Sequence, residues 1–194
     1  MHSHYTLPCT FYARDPRDVA HDLLGKILVR RLGAIYLKVM ITETEAYYGP
    51  DDPASRAYGG RRTKLTEVMW GPPGRTLIYM VHGGWLLNIV TEPEGTPSAV
   101  LIRAGEPLTG INLMKRFRKE TDLYNLTTGP AKLTQALKIT KKHHNIDICD
   151  ETSDLFIVDS DYKPIILTSK RIGVKGDLPI DMRFYIKDSR FVSR

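Results

Sequence analysis

The sequence has no apolar run approaching the roughly 20 residues that a membrane-spanning helix needs. Met1 to Phe11 lacks a basic start followed by an apolar stretch, so no secretory signal is expected. Cysteine is scarce. Cys9 and Cys149 are the only two, far apart, and two thiols make neither a disulfide framework nor a zinc set. A reduced, intracellular setting is the default expectation, in the cytoplasm or nucleoid, or in the nucleus of a eukaryote. None of His2, His4, His21, His82, His143 and His144 stands at metal-ligand spacing with Cys or carboxylates, so no metal is expected, and His143-His144 reads as surface. There is no Gly-rich phosphate loop of Walker or dinucleotide type and no serine in a nucleophile elbow, and no cofactor is expected. No internal repeat, low-complexity tract or linker divides the chain. One domain spanning residues 1–194 is therefore expected, with residues 1–10 as a flexible lead-in.

What is present is an ordinary globular composition with a basic excess. Lys and Arg number 28 against 22 Asp and Glu, a net charge of +6. Such a balance attracts polyanions and speeds their capture, although a solvated basic surface on an unrelated protein gives the same count.

Local patterns place the elements. Asp15 as N-cap, Pro16 at the first helical position and Gly25 beyond the end predict a short helix. Lys26–Arg31 and Tyr36–Tyr47 are rich in β-formers and read as a hairpin turning near Gly33. Residues 49–74 carry four prolines and several glycines with Arg56, Arg61, Arg62 and Lys64 between them, a long loop of the kind that is often functional. Thr76–Val81 and Trp85–Thr91 flank His82-Gly83-Gly84 as a second, protruding hairpin, and Ala99–Ala104 is a further strand. Helices are expected from Ile111 to about Lys119, capped by Thr109, and from about Ala131 to Ile139. Short strands follow at Leu155–Val158, Ile165–Thr168 and Arg183–Lys187. The fold class is α+β: a single compact domain with a mixed, mainly antiparallel sheet core decorated by helices.

Three places hold candidate chemistry. In the strand Ile41–Tyr47, Glu43, Glu45 and Tyr47 share one face by alternation. Two carboxylates beside an aromatic suit an active-site edge, but an exposed strand face with solvated charges gives the same spacing. Arg103 stands inside the apolar run Ala99–Ala104, where a buried guanidinium needs a carboxylate or a bound oxyanion. Glu45 is a candidate partner, and such pairing favours the anionic carboxylate that a general base requires. His82 at the hairpin tip can act as a wedge or be an ordinary turn residue.

Together these segments resemble the alkyladenine (3-methyladenine) DNA glycosylase family, the mammalian-type base-excision enzymes. The resemblance runs through Leu23-Leu24-Gly25-Lys26, Glu43-Thr44-Glu45-Ala46-Tyr47, Tyr58-Gly59-Gly60-Arg61 and Asn88-Ile89-Val90. It continues through Leu101-Ile102-Arg103-Ala104-Gly105-Glu106-Pro107, Gly129-Pro130-Ala131-Lys132-Leu133 and Arg171-Ile172-Gly173-Val174. It implies that a damaged purine is flipped from duplex DNA and its N-glycosidic bond hydrolysed. The lesions implied are 3-methyladenine, 7-methylguanine, hypoxanthine and ethenoadenine. It assigns Glu45 as general base for the attacking water, with Arg103 and the backbone carbonyl of Ile172 as further anchors. Tyr47 and Tyr79 become aromatic walls around the base, Asn88 the group that disfavours guanine, and His82 the residue intercalated into the emptied stack. Arg61 and Lys132 are implied phosphate contacts. No catalytic lysine is implied, so the enzyme would be monofunctional. The partner would be double-stranded DNA bearing damaged purines, the state monomeric, and no membrane is involved.

Two positions depart from the family pattern. Arg56 stands where histidine is usual and His82 where a tyrosine wedge is usual. An arginine facing the base favours neutral over cationic lesions if it stays in the pocket, and leaves selectivity alone if it swings to a phosphate. Two other function classes remain open at this level. One is a catalytically weak, lesion-recognising DNA-binding protein; the other is a carbohydrate-directed glycosidase using Glu43 and Glu45, against which the basic charge argues.

Overall fold

A computed structural model describes residues 6–193 of the chain. Among these residues eight strands join one curled, antiparallel sheet, as the α+β reading expected. β1 (Ile27–Leu32), β2 (Ile35–Tyr47), β3 (Thr76–Val81), β4 (Gly84–Val90), β5 (Ala99–Thr109), β6 (Leu155–Val158), β7 (Ile166–Ser169) and β8 (Arg183–Ile186) follow in chain order. The spatial order is β3-β4-β5-β2-β1-β6, and β7 attaches through β8 to β2. β2 is the hub. Its first half pairs with β1 and its second half with β8, while β5 runs along its other edge.

Among the described residues there are four α-helices, α1 (Cys9–Tyr12), α2 (Pro16–Asp22), α3 (Ile111–Arg118) and α4 (Pro130–Ala136); α2 and α4 pack on the sheet, α1 against α2 and α3 against α4. In α2, Asp15 accepts a hydrogen bond from the Arg17 amide at 2.8 Å and Pro16 opens the first turn, as its sequence pattern requires. α3 begins at Ile111 as expected, but with a different cap. Thr109 ends β5, and Gly110 caps the helix at φ 80° without a side-chain bond. The core lies between sheet and helices. Leu37, Ile41, Ile89 and Ile102 from the strands meet Val19, Leu23, Met114 and Leu133, all within 1% of full burial.

The hairpin of β3 and β4 turns through His82 and Gly83, with Val81 and Gly84 as its last pair. Both tip residues have positive φ, 47° and 80°. A two-residue hairpin loop twisted to match its strands needs this conformation at both positions; glycine adopts it freely, and histidine is among the side chains that enter it more often than most.

The cysteines do not stand alone. Cys9 and Cys149 form a disulfide across 140 residues, joining α1 to the segment that follows Asp147. Spacing along the chain excludes nothing about proximity in the fold, which is why two isolated cysteines gave no such signal. Of the expected flexible lead-in, residues 1–5 lie outside the described residues; Thr6 bridges Val158, and the Leu7 amide bonds the Ile157 carbonyl at 2.8 Å. His143 is not a surface residue: it is buried, and its Nδ1 accepts from the Thr140 amide at 3.0 Å. No helix among the described residues is long and apolar enough to cross a membrane.

Candidate active site

The end of β2 delivers Glu43, Glu45 and Tyr47 to one face, next to β5. The ladder between these strands is irregular. Ile41 pairs with Gly105 and Thr44 with Ile102, leaving Thr42 and Arg103 without partners in the register. This irregularity sets the Arg103 guanidinium over the face that carries both glutamates. Its Nε lies 3.2 Å from Glu43 Oε1 and its Nη1 3.3 Å from Glu45 Oε1.

Neither glutamate is on a solvated face, since both are 0% exposed. A buried carboxylate is tolerable only when its oxygens accept several hydrogen bonds. Glu45 meets that condition with three contacts: the Ile172 amide donates to Oε1 at 2.8 Å, the Tyr47 hydroxyl donates to Oε2 at 2.6 Å, and Arg103 provides the charge. Ile172 thus touches Glu45 through its N–H, a contact separate from the carbonyl that the resemblance gives as an anchor of the water. Gly173, at φ 74°, supplies the left-handed turn beside that amide. Glu43 is more completely engaged. It accepts from Arg103 Nε, Arg183 Nε at 2.6 Å, the Ser193 amide at 2.6 Å and the Ser193 hydroxyl at 2.8 Å.

Above this cluster opens a cleft of about 1280 Å³. Tyr47, Arg103 and Ile172, the three partners of Glu45, all line it, so the carboxylate sits directly behind its floor. Tyr79 from β3 and Arg56 from the long loop line the same space. Burial raises the proton affinity of both phenols, and Glu45 adds to the effect on Tyr47, so Tyr47 remains a donor to it. The Arg56 guanidinium lies over the Tyr79 ring, 4.4 Å from its centroid.

The remaining sequence candidates fall around this cleft. His82 is exposed at the hairpin tip on its rim, and Lys132, from the first half of α4, lines it while donating to Asn125 Oδ1. Arg61 is exposed in the loop after Tyr58-Gly59-Gly60. Asn88 is buried behind Tyr79, and its Nδ2 donates to the Leu77 carbonyl at 3.2 Å.

Sequence reasoning missed Arg171. Its side chain is 0% exposed, pairs with both Asp52 oxygens at 2.7 and 2.8 Å, and reaches Asp177 at 2.6 Å and the Ala46 carbonyl at 3.0 Å. It also lies 4.6 Å from the centre of the Tyr47 ring. Arg171 therefore ties the loop after β2 to the segment that presents the Ile172 amide. Its main partner is 119 residues away in sequence, and no local pattern reveals that pairing. Ser193 escaped for the same reason, at 150 residues from Glu43.

A face of this kind, an acid–guanidinium pair beneath an aromatic cleft on a basic protein, can bind a planar base and direct water at its sugar. The family model for methylpurine-DNA glycosylase matches residues 10–190. The chain belongs to the methylpurine-DNA glycosylase family. It is 44% identical over 196 residues to a Clostridium botulinum (strain Langeland) protein provisionally named 3-methyladenine DNA glycosylase, with 94% of this chain and 96% of the relative covered. A Desulfitobacterium hafniense protein of the same provisional name is 41% identical over 198 residues with the same coverage. The chain is accordingly a DNA glycosylase, a hydrolase of DNA repair whose substrate is DNA, and the carbohydrate-directed reading is set aside.

Proposed function

We propose that this glycosylase flips a damaged purine out of duplex DNA into the cleft between Tyr47 and Tyr79 and hydrolyses its N-glycosidic bond with a water activated by Glu45. The observation that carries the proposal is the buried carboxylate whose three partners all face the cleft. A base inside the helix cannot be attacked, so extrusion must come first, at a cost lowest for mispaired or damaged bases. Stacking on aromatic rings returns about 1–3 kcal/mol per base. As the bond to the sugar lengthens, positive charge develops at C1′, comparable to glycoside hydrolysis. The Glu45 carboxylate stabilises that charge and takes the proton of the attacking water. Arg103 and the Ile172 amide hold the carboxylate in place; water reaches Oε2 by replacing the Tyr47 hydroxyl there.

In this reading His82 enters the gap left by the flipped nucleotide, Asn88 shapes the pocket behind Tyr79, and Arg61 and Lys132 contact phosphates. The enzyme leaves an abasic site, acts as a monomer inside the cell, and accepts alkylated or deaminated purines, among them 3-methyladenine, 7-methylguanine, hypoxanthine and ethenoadenine. The test is release of hypoxanthine from a duplex containing one such base, with an undamaged duplex and Glu45→Gln as controls. Wild type should release the base and leave an alkali-labile abasic site; Glu45→Gln should bind the lesion duplex and release it at least 100-fold more slowly. Equal rates in the two proteins would remove Glu45 from the chemistry, and binding without release by wild type would make the protein a lesion reader of little catalytic power.

A further inference from the structure

Two arginines lie against the two tyrosines of the cleft, and they differ in one respect. Arg171, behind Tyr47, is buried and neutralised by Asp52 and Asp177. Arg56, against Tyr79, is exposed to the cleft, and among the described residues no carboxylate lies within ion-pair distance of it. The Glu45 charge on the floor is already met by Arg103 and by two hydrogen-bond donors. Among the described residues Lys132, Lys175 and Arg190 also line the cleft without a carboxylate within ion-pair distance, but Arg56 is the unneutralised cation that lies on the face of Tyr79, where a base would stack.

We propose that Arg56 is a specificity-determining residue that directs the enzyme toward purine lesions without formal charge and against N-methylated, cationic ones. The proposal rests on the base-binding reading of the cleft given above. The reason is the change of charge during the reaction. When the bond from C1′ to the purine breaks, its electron pair leaves with the base, the water oxygen joins C1′, and the water proton passes to Glu45. A neutral purine such as hypoxanthine thereby gains negative charge as it departs, and a nearby guanidinium stabilises it. A cationic purine such as 7-methylguanine begins positive and departs neutral, so the same guanidinium opposes its binding and gains nothing from its departure. Only an interaction stronger in the transition state than in the ground state accelerates the step, and Arg56 offers it to the neutral class alone. The planar guanidinium stacked on Tyr79 still presents a flat surface to either base.

The test compares wild type, Arg56→Gln and Arg56→Lys in single-turnover release from two duplexes that differ only in carrying hypoxanthine or 7-methylguanine, at mildly acidic pH where the methylated base keeps its charge. The readout is the ratio of the two rates, in which any change in phosphate contact or folding cancels. Arg56→Gln should lower the hypoxanthine-to-7-methylguanine ratio by about tenfold, and Arg56→Lys, which keeps the charge, should stay within about threefold of wild type. An unchanged ratio in Arg56→Gln, including a parallel loss of both rates, overturns the assignment. So does an equal fall in both variants, which would make shape and not charge the cause. Release of neither base by wild type overturns the glycosylase reading of the cleft and this inference with it. Release of both by wild type with no effect of charge at position 56 overturns this inference alone.

Discussion

Arg103 Nη1 lies 3.3 Å from Glu45 Oε1, and neither side chain is more than 9% exposed. The same guanidinium bonds Glu43 through Nε, so one cation serves two buried anions. Such a group is costly to remove, because its partners keep their charge and lose their compensation.

Replacing Arg103 with Met should therefore destabilise the fold by about 3–5 kcal/mol, a large part of a domain's total stability. Urea unfolding followed by far-UV circular dichroism measures it. A loss under about 1 kcal/mol would show that Arg183 and Ser193 alone compensate Glu43 and that Glu45 needs no cation.

Tyr79 offers its ring to the cleft while its phenol is buried. Tyr79→Ala should weaken binding to a lesion duplex by about 1–3 kcal/mol, because it removes the ring on which the Arg56 guanidinium, and through it the base, is stacked. Binding to an undamaged duplex, which uses phosphate contacts, should change little. An equal loss on both duplexes would place Tyr79 outside base recognition.

Arg61 and Lys132 are expected at the DNA backbone. Each Ala variant should reduce the slope of log affinity against log salt by about one, uniformly across sequences. Lys132 already donates to Asn125, so a phosphate must compete with that bond, and an unaltered slope in Lys132→Ala would leave it a structural residue.

The Cys9–Cys149 bond closes a loop across a separation of 140 residues. Cross-links of long loops stabilise by about 2–5 kcal/mol, chiefly by restricting the unfolded chain. Reductant should lower the urea midpoint of wild type and leave that of Cys149→Ser unchanged. Identical midpoints for wild type with and without reductant would show that the bond adds no stability.

Acid should act through His143. Burial, with Arg30 nearby, depresses its pKa below the ordinary 6.5, and its Nδ1 already accepts the Thr140 amide. The unfolded chain thus takes up the proton before the folded one does. The stabilisation is complete above pH 6.5 and is lost as pH falls through the lower, folded value. His144, which accepts the Ile78 amide and is also depressed by burial, has the same sign. Stability measured from about pH 7.5 to about pH 5, across the ordinary histidine range, should fall in wild type and less steeply in His143→Gln. A parallel fall in both would assign the acid sensitivity elsewhere.

Much of the architecture was legible because its causes are local. Asp15 with Pro16 starts α2, the alternation through Tyr47 marks β2, and the runs on either side of His82 and Gly83 predict the second hairpin. The start of α3 at Ile111 was legible but its cap was not: β5 continues through Pro107 to Thr109 and leaves the cap to Gly110. The candidate pair Glu45 and Arg103 was also visible, since a charged residue inside an apolar run announces a partner.

The sequence by itself determined the elements, the family and the need for a counter-charge at Arg103, because periodicity, capping and the cost of burying charge act over a few residues. Only the tertiary structure decided which groups meet. The missing register partner at position 103, the grip of Arg171 on both loops, the Ser193 contact with Glu43 and the Cys9–Cys149 bond each join positions 60 to 150 residues apart. Their proximity depends on how the strands are ordered in the sheet, and local pattern carries no record of that order.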